Sequence, residues 1–275
     1  METSREIVRR SGSNLAFALA VLPRDKRDDM EVFYAFCRLA DDIADDPDLS
    51  LAQKHAGLNR WRQLIRGGID QPRPGVETEF LELCDRRSLD AEELDAIVIG
   101  VEMDLEPVRF ETAEELKHYC FHVAGSVGLA SIRIFGHEDP ATRLYAEQLG
   151  YALQWTNILR DIGEDAAEKR LYLPLEDLRR FGLKEDHILS GAPDPASFQR
   201  LMKYETRMAR QFYADAVAAL PAVDRGSMRS AELMRRIYFG ILREMESDGF
   251  RVFDKRYRLP KARMVCEVLR TKLAG

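Results

Sequence analysis

The chain has 275 residues, with 41 Lys+Arg against 47 Asp+Glu for a formal charge of −6, and is 45% hydrophobic and 32% charged. This is the composition of a soluble globular protein, not of a disordered or low-complexity one. The acidic balance disfavours nucleic acid as the main partner, because phosphate backbones need clustered Lys and Arg; it leaves room for a metal-bridged phosphate ligand, which needs carboxylates.

Residues 1–23 place basic side chains before a short apolar stretch. This faintly imitates a signal peptide, but no convincing cleavage site follows and a helix pattern begins at Arg24. No segment approaches the ~20 apolar residues of a membrane span. The reading is cytoplasmic, with a peripheral visit to the inner face of the membrane left open. Cys37, Cys84, Cys120 and Cys266 show neither zinc nor CxxC spacing and read as ordinary thiols, three of them core fillers.

From Arg24 to Asp46, Met30, Phe33, Cys37, Ala40 and Ala44 recur at spacings of 3 and 4, which is one face of a helix. Ser50 is placed to cap a helix through Arg66, stopped by Gly67 and Gly68. Asp90 with Glu93, and Thr112 with Glu115, have capping-box spacing ahead of apolar runs. Pro140 opens a long pattern to about Asp165, and Pro174 a short one. Further helices are predicted over Ala196–Leu220 and Asp224–Glu246, and a last one from Pro260. The stretches Gln71–Gly75 and Ser190–Ser197 are short loops, not linkers. Residues 1–275 therefore read as one all-α domain of eight to eleven helices.

Two polar stripes stand out against this pattern. Tyr34, Arg38, Asp41 and Asp45 follow one another at spacings of 4, 3 and 4, inside an arc of roughly 60° that adjoins the apolar face. Asp42 and Asp46 enlarge the cluster. Like charges stacked four apart repel, and a helix C-terminus favours cations, so a sequence that tolerates this has something cationic to place there. Gln154, Asn157, Asp161 and Asp165 form the second stripe, with Arg160 beside Asp161 and Leu153, Ile158 and Ile162 as apolar flanks. Carboxylates bordering a core are costly unless paired or bound to metal. Both stripes offer only oxygen ligands, which suits Mg²⁺ better than zinc. No register supplies EF-hand ligands. Either stripe alone is compatible with a solvated helix end; two on separate long helices argue for a site.

Asp41-Asp42-Ile-Ala-Asp45 also fits the DDxxD of head-to-tail prenyl synthases and terpene cyclases, but the second stripe does not. Gln154-Trp-Thr-Asn157-Ile-Leu-Arg160-Asp161-Ile-Gly-Glu-Asp165, with Arg170-Leu-Tyr172-Leu-Pro174 after it, resembles the squalene/phytoene synthase family. So does the block from Tyr34 to Asp45, and so does the mid-chain Tyr119-Cys-Phe-His-Val123-Ala-Gly-Ser-Val127-Gly128. The likeness runs from about Ser11 to Leu259. Near the N-terminus it departs from the family's Ser-x-Ser-Phe element, since Gly12, Asn14 and Leu15 stand there unless Ser11 and Ser13 are brought in by a slip of one residue. Gly100-Val-Glu-Met-Asp104-Leu, Val127–Gly136 and Gly249-Phe-Arg-Val-Phe253 lean towards the bacterial presqualene diphosphate synthases of hopanoid pathways.

The resemblance implies an isoprenoid synthase fold with a central cavity and head-to-head joining of two isoprenyl diphosphates, typically farnesyl. It implies Asp41, Asp45, Asp161 and Asp165 as ligands of Mg²⁺ or Mn²⁺, with Asn157 and Gln154 beside them. Arg38, Arg160 and Arg170 would grip phosphate, and Val123 and Val127 would wall the cavity. Tyr34, Tyr119 and Tyr238 would orient diphosphate or assist proton loss. NADPH enters only if a second, reductive step is also catalysed, and chain length (C15 or C20) stays open. Phytoene or dehydrosqualene synthase is the alternative within enzymes. A catalytically silent helical partner of another enzyme is the alternative outside them. A membrane surface and a downstream pathway enzyme are the partners such a lipid product would call for.

Overall fold

The computed structural model describes residues 3–11 and 18–273, and every regular element among them is helical. In chain order these are α1 (Ser4–Ser11), α2 (Arg24–Asp45), α3 (Leu51–Ile65), α4 (Val76–Arg87) and α5 (Ala91–Met103). Next, α6 (Ala113–Cys120) passes through a π-turn (Phe121–Gly125) into α7 (Ser126–Phe135). After them come α8 (Thr142–Ala167), α9 (Leu175–Arg180), α10 (Glu185–Leu189), α11 (Pro195–Ala219), α12 (Arg229–Ser247) and α13 (Lys261–Leu273). Thirteen α-helices among the described residues exceed the eight to eleven expected. The excess lies in α1, in the five-residue α10 and in the π-turn that divides α6 from α7.

Local chemistry explains most boundaries. Ser50 and Gln53 form a reciprocal capping box on α3. Asp194 caps α11 by accepting from Ser197 N at 2.8 Å, ahead of Pro195 at the first helical position. Three expectations need correction. Asp90 caps α5 through Glu92 N, while Glu93 turns away to Arg143 (2.6 Å) and Arg133 (3.2 Å), so no box forms there. At Thr112 only half a box forms, because the Glu115 carboxylate accepts from Glu111 N. α12 begins at Arg229, not at Asp224. The Asp224 carboxylate instead accepts from Glu138 N, Asp139 N and Thr142 Oγ1, tying a 3₁₀ turn to the start of α8.

One contiguous apolar core runs from Ile7 to Met264. Its axis is α8, which buries residues from Thr142 to Ala166 and is flanked by α11, α7, α12 and the π-turn. A second aromatic knot ties α2 to α3 and α4: Phe36 stacks on Phe80 at 4.4 Å, with the Trp61 edge 5.0 Å away. Glycine permits the tightest approach. A Cβ on Gly150 would stand 2.8 Å from the Ala124 backbone, and one on Gly100 2.9 Å from the His122 backbone. The π-turn is thus held between α5 and α8 by two missing side chains.

Candidate active site

The helices enclose an apolar cavity of about 330 Å³, walled by α2, the π-turn, α7, α8 and α12. Tyr34, Val123, Val127, Gln154, Asn157 and Tyr238 all line it. The π-turn explains two of them. Tyr119, Val123 and Val127 stand four residues apart, a spacing that drifts about 40° per step in an ideal α-helix. The wider turn at Phe121–Gly125 offsets the drift and keeps both valines on the cavity side. Tyr119 takes another place. It is buried, and its hydroxyl donates to both Asp104 oxygens, at 2.9 and 3.1 Å.

At the mouth the two acidic stripes meet. Asp41 is an exposed residue of α2 whose carboxyl is nevertheless crowded by the protein around it. Burial pushes its carboxyl up to about 7, with Asp45, Asp104 and Asp42 adding to the shift and Arg38 opposing it. Asp165 is likewise pushed up to about 7 by burial, aided by Asp161, Glu168 and Asp104 against Arg170. Arg170 bridges the stripes, 3.8 Å from Asp45. Arg38 pairs with Asp42. Arg160 is nearly buried, grips Asp161 through two bonds (2.8 and 2.6 Å) and lies against the Tyr238 hydroxyl.

One residue of this mouth escaped the sequence reading as a site residue. Asp104 acts electrostatically on both Asp41 and Asp165 and so stands between the stripes. Burial raises its own pKa against hydrogen bonds from Tyr119 and from Tyr172 (3.0 Å). An Asp at the C-cap of α5, where the dipole favours cations, was its only local signal. Arg256 also reaches this region, at 3.1 Å from Asp161 and 3.0 Å from Glu164. Its neighbour Lys255 pairs with Asp248 and lies over the Tyr257 ring. His122 meets the Ala96 carbonyl and His118, as a packing histidine does. The Gly12–Leu15 element lies outside the described residues.

The mouth collects more negative charge than its arginines neutralise, so it favours a cation. Asn157 sharpens this: its amide donates to Gln154, while its Oδ1 is buried with no partner. Such an orphan costs about 1–3 kcal/mol unless a ligand satisfies it. Among the described residues no three His, Cys, Asp or Glu side chains converge closely enough to hold a metal ion between them. Oxygen-only donors in an open arrangement suit Mg²⁺, which takes one or two carboxylates and completes its shell with water and phosphate. They do not suit zinc. Cys37, Cys84 and Cys120 are packing thiols pushed up by burial.

Comparison with known proteins agrees with this geometry. The family model described as squalene/phytoene synthase matches residues 8–263. A 15-cis-phytoene synthase from Synechocystis sp. is 31% identical over 272 residues, covering 94% of this chain and 80% of the relative. A presqualene diphosphate synthase from Zymomonas mobilis is 34% identical over 265 residues, covering 96% and 90%. The crystal structure of a dehydrosqualene synthase in complex with ligand superposes with a TM-score of 0.86 at 25% identity, covering 98% of this chain and 94% of that one.

Proposed function

The chain belongs to the squalene/phytoene synthase family of head-to-head prenyltransferases, and on that premise we propose that it joins two farnesyl diphosphates into presqualene diphosphate. The observation that carries the reading is the mouth itself. Gln154 and Asn157 of the second stripe line an apolar cavity, Arg170 stands 3.8 Å from Asp45 and acts on Asp165, Asp104 acts on both Asp41 and Asp165, and the Asn157 oxygen has no partner. The single apolar core supports treating residues 1–275 as one catalytic domain.

The reaction breaks an allylic C–O bond and leaves a carbocation and diphosphate. The alkene of the second substrate attacks the cation, and loss of a proton closes a cyclopropane that retains the second diphosphate. Asp41, Asp45, Asp161 and Asp165, with Asn157, would hold Mg²⁺ (or Mn²⁺). Bound there, the metal supplies positive charge that stabilises the departing diphosphate. Arg38, Arg160 and Arg170, held here by Asp42, Asp161 and Asp45, would supply guanidinium charge to phosphate oxygens. Val123 and Val127 exclude water from the cation, and Tyr34 and Tyr238 offer ring faces or hydroxyls inside the cavity. Tyr119 acts at one remove, since its proton is committed to Asp104.

Phytoene or dehydrosqualene synthesis would use the same machinery, and phytoene synthases stand among the relatives. Full squalene synthesis would require NADPH as hydride donor. Completeness of both stripes argues against a silent partner. The deciding experiment incubates purified protein with farnesyl diphosphate and Mg²⁺ in the absence of NADPH, and extracts the product. Diphosphate release with a C30 cyclopropyl diphosphate is expected. Dehydrosqualene, or phytoene made from a C20 substrate, would move the assignment within the family, and no turnover with either substrate would overturn it. A product with a C30 hydrocarbon chain also calls for a membrane surface to receive it.

A further inference from the structure

The C-terminal fifth of the chain reverses the charge of the rest. Residues 220–275 carry 13 Lys+Arg against 7 Asp+Glu, a net of +6 in a chain of −6, so residues 1–219 carry −12. α12 divides two environments. Ala231, Met234 and Tyr238 share one side and line the cavity. Arg229, Arg236 and Arg243 fall on the opposite side at 100° per residue. There Arg225, Arg229 and Arg270 border a cleft of about 500 Å³ together with Val217. Among the described residues Arg225 and Arg229 have no carboxylate partner, although the protein as a whole has acid to spare.

α13 packs chiefly on α12, burying Met264 and Thr271 with Val268 half-buried between them. Its outer side is apolar too. Val265 and Leu269, one turn apart, are 47% and 54% exposed, with Ala262 and Cys266 exposed beside them. These four fall in a stripe about 100° wide. Lys261 and Lys272 border it on one edge, Arg263 and Arg270 on the other. An apolar stripe flanked by long cations matches a helix lying in a lipid interface, where the stripe enters the acyl boundary and the cations reach up to phosphate. No helix among the described residues is long and apolar enough to cross a membrane.

We propose that this face docks the protein on an anionic lipid bilayer, with α13 lying in the interface and Arg225, Arg229 and Arg270 taking headgroup phosphates. Charge decides against a second copy, since two such faces repel. The exposed Val265, Leu269, Val217 and Val223 decide against a nucleic acid, which offers them no apolar medium. The face also adjoins the cavity. Ala18 and Ser230 line the cavity and are joined by a 2.9 Å hydrogen bond. Nearby residues of both segments, 20–23 on one and Gly226, Ser227 and Arg229 on the other, line a cleft on the basic face together with Lys272. A lipid product could leave there without crossing water, a point that rests on the function proposed above.

The test is co-sedimentation of the full chain with vesicles of phosphatidylcholine alone or mixed with phosphatidylglycerol. Binding should favour the anionic vesicles by about tenfold or more and fall as salt rises. Arg229→Gln with Arg270→Gln should weaken it by about tenfold. Val265→Asp with Leu269→Asp should abolish it at low salt while the melting temperature holds, because both side chains are already exposed. Turnover with farnesyl diphosphate in detergent should be unchanged in all variants, so failure to dock and failure to catalyse are read separately. Equal binding to neutral and anionic vesicles, or variants that bind like the parent, would overturn the proposal. So would a self-association, or a nucleic-acid complex, that the same substitutions abolish in the absence of vesicle binding.

Discussion

At the cavity mouth, burial pushes Asp41 and Asp165 up to about 7; beneath Trp155, burial and Asp177 push Glu205 up to about 8. The chemistry is alike and the surroundings are not. Glu205 is wholly enclosed. The Trp155 indole donates to one of its oxygens at 3.0 Å, and a proton kept on the other faces Asp177. That pair is enclosed: Glu205 Oε1 has no hydrogen-bond partner while both carboxyls are ionised, and a shared proton is what joins it to Asp177. The mouth is open. Asp41 is exposed, Asp104 presses on both stripes, and Asn157, whose Oδ1 has no partner, lines the cavity. A perturbed carboxyl therefore does not by itself mark a site. What distinguishes the functional region is access: its unpartnered Asn157 oxygen belongs to a residue that lines a cavity, whereas the unpartnered Glu205 oxygen lies in the core, where a proton is the only partner it can take.

The sharpest way to break this comparison is to neutralise each region in turn. Asp41→Asn and Asp161→Asn keep shape and remove a charge that matters mainly as diphosphate departs. Turnover in each should fall by about a hundredfold or more. Their melting temperatures should hold or rise as like-charge repulsion is relieved. The double variant should fall little further than either single one, because residues that act as one unit fail together. Near-parental turnover in either single variant would remove that aspartate from the site.

Ligand binding gives the next largest effect. Mg²⁺ with a non-hydrolysable farnesyl analogue should raise the melting temperature. A ligand at a hundred times its Kd stabilises by about 2.7 kcal/mol, and neither component alone should approach that. The shift should disappear in Asp161→Asn and survive in Glu205→Gln. Equal melting curves with and without the pair of ligands would favour a silent helical partner. Asn157→Leu comes third. It deletes the orphaned acceptor, so melting should stay level or rise by a few degrees while turnover drops. A clear loss of stability would mean that Asn157 serves the fold and not a ligand.

Both stripes were legible because their spacing is helical: 4, 3, 4 from Tyr34 and 3, 4, 4 from Gln154 force each set onto one side of its helix. Long amphipathic helices were legible for the same reason, and α2 and α11 begin and end within one residue of the positions the pattern predicts. What could not be read depends on distant partners. Asp104 gains its meaning from Tyr119 and Tyr172, 15 and 68 positions away. Arg256 meets Asp161 across 95 positions. Asp224 looked like a helix start until the chain folded its carboxylate onto Glu138 and Asp139. The π-turn has no periodic signature at all; it exists because Gly100 and Gly150 let α5 and α8 close on it.

The smallest predicted effect isolates the closed pair. In the unfolded chain Glu205 titrates near 4.3, the usual glutamate value; in the fold it keeps its proton up to about 8. Between those values the folded protein holds a proton that the unfolded chain has released. The stabilisation is complete below the unfolded value and is lost as pH rises through about 8. Glutamine keeps the shape, still accepts from the Trp155 indole and still presents a donor to Asp177, but has no proton to lose. Glu205→Gln should therefore melt close to the parent at pH 5 and a few degrees above it at pH 9, with turnover at neutral pH unchanged. The difference between the two melting curves is the quantity to follow, because other carboxyls titrate equally in both proteins and cancel. A difference that stays flat from pH 5 to pH 9 would mean that Glu205 is ionised in the fold, and the contrast between a closed and an open acid pair would fail with it.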